Sequence, residues 1–68
     1  MTDIDRLLDG LYFLKNGDRN KAAVDLVWLR GKAHTRKVRA VARVLVEIHN
    51  LEPEAFTVEE LQQARGVY

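Results

Sequence analysis

The chain contains no cysteine and no serine. Without cysteine there is no disulfide and no thiolate. The two histidines, His34 and His49, stand too far apart, with no ligand spacing around them, to form a zinc motif. The covalent and metal staples that many small domains rely on are therefore excluded. Glycine-rich phosphate loops and closely paired carboxylates are missing too. The three threonines, Thr2, Thr35 and Thr57, each precede an apolar-periodic segment, where a hydroxyl is spent on capping. Catalysis has no apparatus here, so neither an enzyme nor a cofactor or metal is expected. No apolar run approaches the roughly 20 residues that cross a membrane. The first nine residues carry three aspartates and no basic lead, unlike a signal peptide. A cytoplasmic protein is expected, the lack of cysteine fitting a reducing compartment.

What is present is apolar material, 47% of 68 residues. A chain this short buries only about 60% of the surface its unfolded form exposes. Its core is marginal unless helices pack efficiently or extra apolar surface is buried between subunits. The chain 1–68 reads as a single helical domain.

Turn residues divide it into four segments. Asn16-Gly17-Asp18 ends the first, Gly31 the second, Asn50 to Glu54 with Pro53 the third, and Gly66 the fourth. Helices are predicted near 3–15, 20–30, 36–50 and 58–65, with Asn20 or Asp18 capping the second. Thr57-Val58-Glu59-Glu60 has the capping-box pattern. The expected fold is all-α: a compact bundle of three main helices plus a short C-terminal helix, the third helix central. At about 100° per residue, Ile4, Leu7, Leu8, Leu11, Tyr12 and Leu14 share one face of the first helix, and Phe13 falls off it. The second is apolar almost all round. In the third, Val38 to Ile48 place apolar residues over roughly 200° of arc, leaving the rest to Arg36, Arg39 and Arg43.

Charge is distributed unevenly. The net value is only +1. Residues 1–18 set Arg6 and Lys15 against four aspartates, a net −2. Residues 19–46 carry eight cations against Asp25, a net +7, and residues 47–68 set Arg65 against five glutamates, a net −4. From Arg30 to Arg43 there is no carboxylate. Arg30, Lys32, His34, Arg36, Lys37, Arg39 and Arg43 form the candidate nucleic-acid-binding set. Much of it lies in the first turns of the third helix, where the backbone dipole disfavours cations. Arg36, Arg39 and Arg43 stand one above another at i, i+3, i+7. Guanidinium groups bind phosphate in a fork, and the helix start offers free N–H groups. A solvated charged face, paired with the acidic ends of the chain or locally with Glu47, is the competing explanation.

The segment from Val38 to Val67, VRAVARVLVEIHNLEPEAFTVEELQQARGV, resembles the first two helices of winged helix-turn-helix regulators through its apolar positions and FTVEEL. The resemblance covers under half the chain and implies a small transcription regulator. In that family a recognition helix follows where this sequence reaches Gly66 and Val67. No DNA-reading residue carries over. A second alignment treats the second helix, the Arg30–His34 connection and the third helix as the helix-turn-helix, making the basic helix the reader.

Two readings stay open: a nucleic-acid-binding regulator, and a protein–protein interaction module of the small inhibitor or adaptor type found among phage and mobile-element products. A homodimer is expected, with Phe13, Trp28 and Tyr68 as candidate interface aromatics.

Overall fold

The computed structural model describes the backbone of residues 2–65 and the side chains of 2–62. Four α-helices follow one another: α1 (Asp3–Lys15), α2 (Arg19–Lys32), α3 (Arg36–Ile48) and α4 (Val58–Arg65), with a single 3₁₀ turn at Pro53–Ala55 before α4. The described residues contain no strand. This is the all-α bundle of three main helices and a short fourth.

The helix starts follow the threonines. Thr2 Oγ1 accepts the Asp5 N–H while the Asp5 carboxylate accepts the Thr2 N–H, a reciprocal box. Thr35 accepts from Val38 N–H, and Thr57 forms the second reciprocal box with Glu60. At α2 the cap is Asp18, which accepts from Lys21 N–H at 3.2 Å.

Two stops share one geometry. After α1, Gly17 sits at φ +78, Gly17 N–H reaches Leu14 O and Asp18 N–H reaches Phe13 O. After α3, Asn50 sits at φ 53, Asn50 N–H reaches Glu47 O and Leu51 N–H reaches Val46 O. Both are Schellman motifs, with glycine or asparagine accepting the left-handed conformation. The second cuts α3 at Ile48, two residues short of the predicted end, and turns Leu51 into the core. Gly31 does not stop α2. The helix runs through it to Lys32, and the chain leaves at Ala33, whose ψ of 146 is extended.

The central element is α2, not α3 as predicted. It packs against α1, α3 and α4, and α1 touches α3 along one edge. The all-round apolar character of α2 is the reason, since a helix covered on three sides has little surface left for polar residues. The core is small. It comprises Leu26, Leu29, Leu51, Val38 and Val46 with four alanines, Ala22, Ala23, Ala33 and Ala42. Alanines let the helices approach closely but contribute little apolar area each. One close approach is at Gly10 of α1, against Leu26.

Candidate nucleic-acid interface

The basic row lies on α3. Thr35 breaks from extended backbone into the helix, so Arg36 and Lys37 occupy the first two helical positions, and no acidic residue follows in that turn. Arg36, Arg39 and Arg43 line one shallow surface hollow with Ala40 between them. Arg36, Lys37 and Arg43 are exposed, and Arg39 is half-buried. Among the described residues no carboxylate pairs with any of the four, including Glu47, the predicted local partner.

Arg39 has an internal task as well. Its Nη1 donates to Ala33 O at 2.7 Å, which sets a cation at the C-terminal end of α2. The dipole that disfavours a cation at the start of α3 favours one at the end of α2, and the two ends meet at this corner. The corner therefore accounts structurally for Arg39. It leaves the positive charge of Arg36 and Arg43 facing solvent.

The other members of the predicted set diverge. Arg30 Nη1 contacts both carboxylate oxygens of Glu52, at 2.9 and 2.8 Å. Lys32 points away from the row and lines the groove beside Trp28, Pro53 and Leu61. His34 donates its backbone N–H to Asp3 Oδ2 and sets Nδ1 3.2 Å from the same oxygen. The acidic ends of the chain thus fold back on Arg30 and His34 and leave the three arginines of α3 alone. His49 closes α3 as its C-cap, and its carbonyl, with that of Asn50, accepts from Arg19.

The predicted interface aromatics also separate. Phe13 packs against the core beneath Lys21, whose Nζ is 5.6 Å from the ring centroid. Trp28 is half-buried under the Arg6 guanidinium, 4.2 Å from its centroid. Tyr68 lies outside the described residues.

Instead, large apolar side chains stand exposed elsewhere: Ile4, Leu8, Leu11 and Tyr12 on α1, and Val41, Val44 and Ile48 on α3. The signal was in the sequence as the width of the apolar arcs. A helix burying one side in a small bundle needs a stripe of about 100°, and both arcs are far wider. No group of three or more His, Asp or Glu side chains that could hold a metal occurs among the described residues. No helix among them is long and apolar enough to cross a membrane.

Compared with known protein families, curated proteins and solved structures, the chain matches none.

Proposed function

We propose that this is a non-catalytic binding protein that engages the phosphate backbone of a nucleic acid through the Arg36–Arg39–Arg43 row of α3, as a small regulator. One observation carries the reading: three guanidinium groups line a single helix face without a carboxylate partner among the described residues. Lys37 adds charge at the start of the same helix. Arginine's planar fork suits phosphate, and every phosphate neutralised releases counterions, so binding should weaken steeply with salt. The test is a fluorescence-anisotropy titration of the protein against duplex and single-stranded DNA and RNA at several salt concentrations. Binding that falls with salt, and falls further in Arg36→Gln/Arg43→Gln, supports the proposal. No binding at low salt discards it.

A second reading is favoured by a different observation. Seven large apolar side chains stand exposed on α1 and α3, and a contiguous exposed apolar patch of this kind marks an interaction surface. They suit a protein-binding module that acts as an inhibitor or adaptor, for which salt would matter little.

A further inference from the structure

The outward arcs of α1 and α3 belong to one face. On α1, Arg6 and Phe13 mark the edge turned to α2, since Arg6 reaches Asp25 and Trp28 and Phe13 lies under Lys21. Leu7 and Leu14, packed on the core, mark the opposite edge, about 100° further round the helix. That edge is turned to α3. Continuing in the same sense come Leu11, Ile4, Leu8 and Tyr12, all exposed. On α3, Arg39 and Val46 mark the edge turned to α2, and Leu45 and Val38 the edge turned to α1. Beyond Leu45 come Val41, Ile48 and Val44, again exposed. The two arcs therefore flank the α1–α3 seam on the side away from α2.

We infer that this face docks onto a second copy of the chain, forming a two-fold symmetric dimer whose axis runs along the α1–α3 seam. The dimer does not require the arginine row to bind nucleic acid, although the two surfaces adjoin at Ala40 and share Arg36. Two features select a second copy. The first is charge. Asp5 and Asp9 border the α1 arc near its start, and Lys15 sits within it at the end. Lys37 sits in the α3 arc near its start with Arg36 close by, and Glu47 lies near the end. α1 and α3 run the same way, both antiparallel to α2, and their starts are pinned together by Asp3 and His34. A two-fold axis along the seam lays α1 of each copy over α3 of the other in the same direction. Asp5 and Asp9 then meet Lys37 and Arg36, and Lys15 meets Glu47.

The second feature is area. Ile48 is 70% exposed, Tyr12 62% and Leu8 57%. With their neighbours they present apolar surface on the order of 600 Å², near the roughly 800 Å² per partner of a standard interface. Burying it would extend a core in which, among the described residues, four of the nine buried apolar side chains are alanine.

Sedimentation and light scattering of the full chain test this, with helical circular dichroism recorded on each sample. The expected mass is twice 7.8 kDa at micromolar concentration. Leu8→Glu, which touches no buried position, should weaken self-association at least about tenfold, which is about 1.4 kcal/mol. A charge swap reads the arrangement itself. Asp9→Lys and Lys37→Glu should each self-associate more weakly than wild type, and an equal mixture should form the heterodimer, because each new charge meets its opposite. Lys37→Glu places an acid where the helix dipole favours it, so lost folding does not explain a weaker dimer. A folded monomer at these concentrations overturns the inference, as does a dimer indifferent to Leu8→Glu. A dimer weakened by Leu8→Glu but showing no heterodimer preference overturns the seam-parallel axis.

Discussion

Gly10 of α1 and Leu26 of α2 are in such close contact that a Cβ on Gly10 would lie 2.9 Å from Leu26 Cδ2 and 3.0 Å from its Cγ. Leu26 is fully buried, so moving it aside would disturb the packing around it. Gly31, also inside a helix, has nothing within 4 Å of the same position. Alanine gains up to about 1 kcal/mol over glycine in a helix interior, while overpacking costs about 1–3 kcal/mol. Gly10→Ala should therefore lower the thermal midpoint and Gly31→Ala should raise it. Chemical denaturation of both variants measures the contrast, and a rise for Gly10→Ala would mean that the helices can part at little cost.

Arg6 does two things at once. Its guanidinium lies 3.7 Å from Asp25 Oδ1 and covers Trp28. Asp25 is 1% exposed, so its charge depends on partners within the molecule. Arg6→Met keeps the stem but removes the cation, and should cost about 2 kcal/mol by weakening a buried pair and a ring contact. Arg6→Lys should fall between the two, since it keeps charge and loses the planar stack. Urea unfolding of the three proteins orders them.

The Glu60 carboxyl is held below its ordinary value, chiefly by the backbone N–H of Thr57. The Thr57 side chain adds to this, burial opposes it slightly, and Asn20 and Arg19 help further. A lowered value in the folded state means that the ionised carboxylate stabilises the cap. That contribution is fully present above the ordinary glutamate value and is lost as pH falls through the lower, folded one. The Glu60 and Leu61 amides should lose protection against exchange in that acid window, measured against unstructured amides at the same pH. In Glu60→Ala that protection should already be low at neutral pH.

The three arginines of α3 should separate in two measurements. Arg36→Gln and Arg43→Gln should leave stability within about 0.5 kcal/mol and lower the salt slope of nucleic-acid binding by about one each. Arg39→Gln should lower the slope and also destabilise by about 1 kcal/mol, since it removes the bond to Ala33 O. Equal loss of stability at all three would mean that the row serves the fold.

Helix starts were legible because side-chain chemistry marks them locally. Thr2, Thr35 and Thr57 accept from the N–H three residues on, as that residue type does at a helix start. The stop at Gly17 was legible for the same reason. Gly31 misled because a glycine in an exposed last turn is tolerated, and the actual stop at Ala33 depends on the approach of α3. The rotation of α1 was not legible. Periodicity put Leu7, Leu8, Leu11 and Ile4 on one face, but the packing of Gly10 on Leu26 turns only half of that face inward and brings Phe13 in with it. Phe13 lay off the apolar stripe, and no local signal revealed that Lys21 and the core would cover it. At the basic row the spacing of Arg36, Arg39 and Arg43 was readable. The departure of Arg30 to Glu52 was not, because it depends on a contact across 22 positions of chain.

Because α2 is the hub on which α1, α3 and α4 all rest, the molecule does not open evenly. α4 packs chiefly on α2, and the capping box of Thr57 and Glu60 at its start is local to it. Detaching it leaves the α1–α2–α3 contacts untouched. The free energy of that partial opening is smaller than that of unfolding the whole, and it uncovers the flank of α2 formed by Val24, Val27 and Trp28. The chain thus carries, behind a removable cover, a second apolar surface on the side opposite the one it shows at rest.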